Sequence, residues 1–186
     1  MTMGKISDGL NASIEAQFTR KPPVSTQKRV KFLTDRLKST RAVADLLGVT
    51  QRSVERYLKG TRQNPPKAVA QALEREVKAR FQPLVRKRAI QRAATSTGIT
   101  IETRATFGYD APAGTTDEGR LRRITQHLPA SYAARLFEAQ ENGATDDELA
   151  QIIANGFAEH YFRDGGRRAH GLDVRLTGVD YLEADF

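Results

Sequence analysis

Residues 40–59 carry the clearest chemical signal in the sequence, because donor-rich side chains cluster there at helical spacing. In the major groove of DNA, arginine pairs with guanine and glutamine with adenine, while lysine and serine donate hydrogen bonds to phosphates. The chemistry expected is therefore recognition of DNA. The candidate DNA-binding residues are Gln51, Arg52, Ser53, Arg56, Lys59 and, just beyond the segment, Arg62.

A helix-turn-helix, two short helices crossing at a tight turn, is predicted to position these side chains. Ala44 is small enough for a close crossing, Gly48 can end the first helix in the left-handed conformation, and Thr50 can cap the second. With Val54 and Leu58 facing inward, the helical period turns the candidate residues outward. The alternative is an ordinary helical hairpin with a charged surface.

The charge distribution favours a polyanionic partner for the first part of the chain. The 186 residues include 30 Lys and Arg and 22 Asp and Glu, a net charge of +8. Residues 1–100 hold 21 Lys and Arg against 7 Asp and Glu, whereas residues 101–186 hold 9 against 15. This asymmetry indicates a nucleic-acid-binding half joined to a half with another task, although solvated basic helix faces give the same count.

Composition excludes several other classes of protein. The sequence has no cysteine, which excludes disulfides, thiolate metal sites and a cysteine nucleophile. No apolar run approaches the roughly 20 residues that span a bilayer, and the N-terminus lacks a secretory apolar segment. We therefore expect a cytoplasmic protein with no membrane partner.

The remaining titratable residues form no catalytic pattern. His127, His160 and His170 share no metal-ligand spacing, and the acids at 146–148 suit the first turn of a helix, where they complement its dipole. The five tyrosines lie mostly at apolar-periodic positions, which disfavours a tyrosine nucleophile. We therefore expect no metal site and no cofactor of the chain's own.

Periodicity predicts an α+β protein, with an all-helical helix-turn-helix domain over 1–97 and a smaller helix-plus-sheet domain over 98–186. Alternating apolar residues predict a strand over 99–109 and a second near 172–182, the latter either continuous or a hairpin. At least three strands are expected to pair in one sheet, because two isolated strands are marginal in water. Helices are predicted at 116–128, 129–142 and 146–163.

Several segments along almost the whole chain carry a family resemblance. They are Ala42–Tyr57, Leu73–Val77, Ile101–Arg104, Phe107–Gly108, Gly114–Asp117, Thr125–Pro129, Tyr132–Phe137 and Tyr161–Arg175. Taken together, these segments resemble the telomere-protecting terminal proteins of Streptomyces linear chromosomes and plasmids. No single segment is specific by itself.

The resemblance implies a role that composition does not reveal. In that family, a threonine hydroxyl accepts the first deoxynucleotide, and a DNA polymerase extends it to fill the recessed end opposite the 3′ overhang. The protein stays covalently attached to the 5′ end of the DNA and is recruited there by a telomere-associated partner protein. The chain is therefore expected to be a primer at DNA ends in the nucleoid, not an enzyme, with divalent metal and deoxynucleotide supplied at the polymerase site.

The resemblance places the acceptor hydroxyl at Thr116 or Thr115. Protein priming requires an exposed hydroxyl that reaches the metal site of a polymerase, and the segment 110–116 suits such a delivery loop. Thr115 and Glu118 fit a capping box, which engages the Thr115 hydroxyl at a helix start and favours Thr116 as the acceptor. A plain capped turn is the alternative interpretation of this loop.

Two other functions stay open at this point. A noncovalent regulator or plasmid replication factor with a helix-turn-helix shares the same DNA-binding residues. A metal-dependent strand-transfer enzyme is disfavoured, because the sequence lacks a matching constellation of acids and histidines.

Overall fold

The computed structural model of the chain describes residues 4–110, 119–162 and 173–186. The α-helices are α1 (Lys5–Ala16), α2 (Thr26–Leu37), α3 (Thr40–Leu47), α4 (Gln51–Lys59), α5 (Lys67–Arg80), α6 (Pro83–Arg92), α7 (Ala130–Glu141) and α8 (Asp146–Phe157). The strands are β1 (Ile99–Asp110), β2 (Arg120–Leu128) and β3 (Asp173–Asp185). Short π-helical turns, Ala93–Thr97 and Ala158–Phe162, follow α6 and α8. The fold is α+β, as predicted, and no helix within the described ranges is long and apolar enough to span a membrane.

The chain divides into two compact units. The helical unit is Thr19–Pro83, and the sheet unit combines Met1–Phe18 with Leu84–Phe186. These units differ from the expected division into 1–97 and 98–186. The difference arises because α1 packs along β3 and Ala93–Thr97 packs on α7, so that both ends of the expected first domain join the C-terminal part of the chain.

The helical unit consists of α2 to α5 around a small apolar core. Ser25 caps α2 and Ser39 caps α3, each hydroxyl accepting from the backbone N–H three residues on. The buried core residues are Val30, Leu33, Val43, Ala44, Leu47, Val54, Tyr57, Leu73 and Val77. Because α2 contributes to this core along with α3 and α4, the helix-turn-helix is held on a third helix rather than standing alone.

The sheet unit is built around β1, which lies between β2 and β3 in an antiparallel sheet. Ile99 pairs with Leu128 at one end of β1, and Phe107 pairs with both Arg120 and Leu176 near the other. The β1 side chains that face α1, α7 and α8 are buried, as the alternating pattern predicts. The expectation of at least three strands, with the C-terminal strand beside 99–109, is confirmed.

Strand β3 runs continuously to Asp185 and does not form a hairpin. Its register against β1 shifts near Gly178, whose φ is 55°, and this irregularity takes up the extra residues. The buried Thr103 hydroxyl donates to the Tyr181 carbonyl at 2.7 Å, and the Lys5 ammonium donates to the Val179 carbonyl at 2.8 Å. Side chains from β1 and α1 thus satisfy carbonyls at the irregularity, and the strand continues beyond it.

The helix predicted at 116–128 is wrong over its described part, because Arg120–Leu128 forms β2. Leu121, Ile124 and Leu128 have the spacing of one helix face, so the local pattern is compatible with a helix. In the fold, Ile124 and Leu128 are buried against the helices while Leu121 is 52% exposed. Pairing with the long central strand overrides the local pattern.

The N-terminus of α1 is capped from α8. The backbone N–H groups of Ile6 and Ser7 donate to the Asp146 carboxylate at 2.9 and 3.1 Å. A Cβ on Gly4 would lie within 2.0 Å of that carboxyl group, so only glycine leaves room for it. One acid in the first turn of α8 therefore satisfies two N–H groups of α1 that have no partner within their own helix.

Replacing Asp146 tests this cap. We expect Asp146→Ala to lower the free energy of unfolding by about 1–2 kcal/mol, because it leaves two helix-terminal donors unpaired. Asp147→Ala is the matched control, since Asp147 is exposed in the same helical turn. Urea unfolding of both variants measures the difference, and equal stability of the two would contradict the capping role.

The N-terminus of α8 carries a capping box formed by Thr145 and Glu148. The Thr145 hydroxyl accepts from the Glu148 N–H, and the Glu148 carboxylate accepts from the Thr145 N–H at 2.7 Å. These hydrogen bonds to the backbone and hydroxyl of Thr145 lower the pKa of Glu148. The helices predicted at 129–142 and 146–163 correspond to α7 and to α8 with the π-helical turn after it.

The lowered pKa of Glu148 makes a prediction for pH dependence. A carboxylate with a lowered folded-state pKa contributes stability above its unfolded pKa of about 4.3, and this contribution disappears as the pH falls through the folded value. We therefore expect Glu148→Gln to be less stable than the parent at pH 7 and to approach it in acid. Urea unfolding across the acid range measures this, and a constant difference at every pH would contradict it.

Candidate DNA-binding surface

The predicted helix-turn-helix between 40 and 59 is present as α3, a three-residue turn and α4. Gly48 ends α3 with φ 63°, and the next N–H, that of Val49, donates to the Ala44 carbonyl at 3.0 Å. The Thr50 hydroxyl then caps α4 by accepting from the Ser53 N–H at 3.3 Å. No atom lies within 4 Å of a Cβ built on Gly48, so its left-handed backbone, rather than lack of space, favours glycine here.

The inner face of α4 packs as the helical period predicts. Val54 and Tyr57 are buried, and Leu58 is partly buried against the same core. Ala44 is buried in α3, which contacts α4 directly. These contacts fix the rotation of α4 about its axis and so decide which of its side chains face solvent.

The candidate DNA-binding residues lie on the outer side of α4 or just after it. Those that are exposed are Gln51, Arg52, Arg56, Lys59 and Arg62. Ser53 is half-buried, and its hydroxyl lies 3.0 Å from that of Thr50. Ser53 therefore contributes first to the start of the helix, whereas the side chains of the other five residues are exposed to solvent.

The cations of α4 differ from those of α5 in their partners. Within the described residues, neither Arg52 nor Arg56 forms an ion pair. On α5, by contrast, Glu74 pairs with Arg29 and Lys78, and Glu76 pairs with Arg75 and Arg80. The two acids of α5 thus pair with cations of α5 and α2, which leaves the arginines of α4 available to an external anion.

Gln51 is the member of the group whose donors are already used. Its side-chain amide donates to the Thr40 hydroxyl at 3.1 Å and to the Glu55 carboxylate at 3.3 Å. Both hydrogen bonds are solvent-exposed, so exchange for a base edge costs little. Glu55 holds this amide near the N-terminal turn of α4 in the absence of DNA.

The segment after α4 places Arg62 beside the end of the helix. The Arg62 N–H donates to the Arg56 carbonyl at 3.3 Å, and the Arg62 guanidinium lies 5.5 Å from the centre of the Tyr57 ring. The Gln27 amide donates to the Leu58 carbonyl at 2.8 Å and ties the start of α2 to this end of α4. A cleft of about 410 Å³ opens there, lined by Arg62 and by polar groups of both segments.

The helical unit carries more positive charge per residue than residues 1–100 taken together, whose net charge is +14. Thr19–Pro83 contains 16 Lys and Arg against 5 Asp and Glu, a net charge of +11 in 65 residues. The sheet unit contains 14 against 17, a net charge of −3. The positive field therefore belongs mainly to the unit that contains the helix-turn-helix.

The two candidate acceptor residues, Thr115 and Thr116, lie outside the described residues, as does most of the predicted delivery loop. The segment that contains both threonines joins two antiparallel strands, because β1 ends at Asp110 and β2 begins at Arg120. Because 120–128 is a strand, the helix on which the choice of Thr116 over Thr115 depended is absent from its described part.

The other titratable residues singled out in the sequence have structural contacts. His127 lies 3.1 Å from the Thr100 hydroxyl, and the His160 ring packs edge-on against Tyr132, while His170 lies outside the described residues. Within the described ranges, no three His, Asp or Glu side chains are grouped so as to hold a metal ion. Burial, followed by a hydrogen bond to Glu159, raises the pKa of Tyr132, which keeps its phenol protonated.

A polar cluster on the exposed face of the sheet was not predicted. Glu102 accepts from the Arg123 guanidinium at 2.9 Å, from the Tyr181 hydroxyl at 2.9 Å and from the Thr125 hydroxyl at 3.3 Å. The hydrogen bond from Tyr181, followed by that from Arg123, lowers the pKa of Glu102. The alternating pattern placed only Glu102 on the polar face of a predicted strand, whereas Arg123 and Thr125 lie in the segment that was predicted to be a helix. The strand register is what brings residues from three strands together.

Comparison of the chain with models of known protein families, with curated proteins and with solved structures finds no match. The geometry of α4 and the charge of the helical unit are therefore the physical support for a function.

Removing the two arginines of α4 tests the surface. We expect Arg52→Ala/Arg56→Ala to fold normally and to weaken DNA binding by about 1–3 kcal/mol for each arginine that contacts a base. The matched control is Arg75→Ala/Arg80→Ala, which removes the same charge from the same unit at ion-paired positions of α5. A titration at fixed salt measures both variants, and equal weakening by the two pairs would mean that total charge, not the face of α4, sets the affinity.

Proposed function

We propose that the chain binds double-stranded DNA with α4 in the major groove. The observation that carries this proposal is the pair Arg52 and Arg56, exposed and without an ion pair within the described residues, on the second helix of a helix-turn-helix. The two arginines are one helical turn apart, about 6 Å along the axis, so both face the same stretch of groove. Their guanidinium groups suit bidentate contacts to guanine.

The surroundings of α4 favour contacts to the phosphate backbone on either side. Arg62 follows the C-terminal end of the helix, and Lys59 is exposed in its last turn. Lys28 and Lys31 are exposed on α2, which belongs to the same unit. Such contacts position the protein without reading sequence and make the affinity fall steeply with salt.

We further propose that the DNA is a replicon end and that the chain is a DNA-terminal protein that primes end-patching synthesis. The support is the resemblance of its sequence segments to terminal proteins, together with a DNA-binding unit joined to a second unit of different charge. In this proposal, a telomere-associated partner protein recruits the chain to the end with its 3′ overhang. A DNA polymerase is the second partner and the catalyst.

The priming step is a deoxynucleotidyl transfer to a threonine hydroxyl. The Oγ atom of Thr116, or alternatively of Thr115, attacks the α-phosphorus of a deoxynucleoside triphosphate. A phosphoester bond to the threonine forms, the bond to the β-phosphate breaks and pyrophosphate leaves, while the hydroxyl proton passes to a base or to solvent at the polymerase site. Divalent metal ions there lower the pKa of the hydroxyl, so the chain itself needs no base and no metal.

A noncovalent DNA-binding regulator or plasmid replication factor is the alternative, because the same face of α4 serves it equally. Covalent attachment separates the two functions. When DNA from cells is digested with nuclease, a terminal protein retains the mass of a nucleotide, whereas a regulator is released unmodified. Recovery of only unmodified protein from the DNA-bound fraction would refute the priming role and leave DNA binding in place.

The acceptor is identified by two single substitutions. We expect Thr116→Ala to bind DNA normally and to lose transfer of a labelled deoxynucleotide, in an assay with polymerase, telomeric template and partner protein. Thr115→Ala should retain labelling, because it leaves the acceptor hydroxyl in place. Thr95→Ala, at an exposed position far from the loop in sequence, is the control for unspecific loss. Full labelling of Thr116→Ala, with loss in a folded Thr115→Ala, transfers the role to Thr115.

A further inference from the structure

Helix α6 is a basic element within an otherwise acidic unit. Its ten residues, Pro83–Arg92, include Arg86, Lys87, Arg88 and Arg92 and no acid. Without α6, the sheet unit holds 10 Lys and Arg against 17 Asp and Glu, so its net charge is −7. No Asp or Glu occurs anywhere between Glu76 and Glu102. The positive charge of the sheet unit is therefore concentrated on one helix.

The four cations of α6 have two different environments. The Arg86 guanidinium donates to the Asn11 side-chain carbonyl at 3.4 Å. The Arg92 guanidinium donates to the Gln17 side-chain carbonyl at 3.0 Å and to the Phe186 carbonyl at 3.3 Å. These two arginines hold α6 to α1 and to the end of β3. Lys87 and Arg88, in contrast, are exposed and form no ion pair within the described residues.

The outer face of α6 has the composition of a phosphate-binding surface. Lys87, Arg88 and Gln91 are exposed at positions i, i+1 and i+4 and therefore project from one side of the helix. Ala89 is the one residue of the helix that is buried, so packing does not explain the cations. Surface cations without partners add little to stability, whereas lysine and arginine beside a DNA strand release counterions and increase affinity.

We infer that Lys87 and Arg88 of α6 contact backbone phosphates of the DNA that the helical unit binds, an inference that rests on the proposed DNA binding. The chain itself supplies the link between the two surfaces, because α6 begins at Pro83, the last residue of the helical unit. Binding of DNA by α4 therefore holds α6 at a high effective concentration near the same duplex. The contact widens the footprint beyond the helix-turn-helix and does not depend on base sequence.

The salt dependence of binding is the measurement that separates this contact from others. Each phosphate neutralised contributes about 0.9 to the slope of log K against log salt, so Lys87→Ala/Arg88→Ala should reduce the magnitude of that slope by about 1.8. Raising the salt from about 50 to 200 mM should then weaken the parent about 12-fold more than the variant. Alanine is the best helix former, so both substitutions preserve α6.

The experiment uses the full chain and fluorescence-labelled duplexes of two unrelated mixed sequences. Arg104→Ala/Arg135→Ala is the matched control: it removes two exposed arginines from the same unit, one paired with Asp180 and the other stacked on Tyr132. We expect an unchanged slope for this control and an equal loss on both duplexes for the α6 variant. Circular dichroism melting verifies that every variant is folded.

The possible results distinguish the two ideas. A parent-like slope for Lys87→Ala/Arg88→Ala, or an equal reduction by the control pair, overturns the contact by α6. Because Arg52→Ala/Arg56→Ala is measured beside them, parent-like binding by that variant overturns the role of α4 and leaves the contact by α6 standing. If α6 instead binds an acidic protein, Lys87→Ala/Arg88→Ala keeps the salt slope of the parent for DNA, which is the result that overturns the contact. A parent chain that binds neither duplex overturns both.

Discussion

The turn between α3 and α4 is the constraint on which the proposed DNA-binding surface depends. Gly48 adopts φ 63°, which lets the Val49 N–H reach the Ala44 carbonyl at 3.0 Å and brings Thr50 to the start of α4. With the direction of α4 set by this turn, burial of Val54 fixes its rotation. Arginines at 52 and 56 then have no direction available except away from the core. The functional face is thus a consequence of backbone geometry four to eight residues earlier.

This dependence on local geometry explains what the sequence alone could predict. Caps, a left-handed glycine and inward apolar positions all lie within 20 residues of one another, so the sequence predicts two helices joined by a tight turn, and the structure contains both helices and the turn. Alternation also predicted β1 and β3, because each strand has one buried face. Strand β2 was missed, because Leu121, Ile124 and Leu128 fit a helix equally well. Only pairing with β1 decides its structure, and that pairing is not a local property.

The division of the chain into these two units could not be predicted from local patterns either, because it depends on contacts between residues that are distant in the sequence. Asp146 accepts from backbone N–H groups 139 and 140 residues before it, and no sequence pattern within α1 predicts such a partner. The first part of the sequence is more basic than the second, and the helical unit is likewise more basic than the sheet unit. The packing nevertheless assigns some of the basic residues to the sheet unit. The helical unit carries +11, and α6, counted with the basic half of the sequence, belongs to the acidic sheet unit. The net charge of a surface can therefore be assigned only when the packing shows which charged residues belong to the same unit.

Within the helical unit, the placement of acids determines which cations can serve DNA. An arginine already paired with a carboxylate must break that pair to bind a phosphate or a base, as those on α5 beside Glu76 would. Arg52 and Arg56 have no such pair among the described residues, so only water must leave them. Gln51 is intermediate, because its amide must exchange exposed hydrogen bonds with Thr40 and Glu55. In the proposed complex with DNA, we therefore expect the arginines to be the primary base-reading groups of α4, with Gln51 adding a contact only where an adenine offers both partners that the exchange requires.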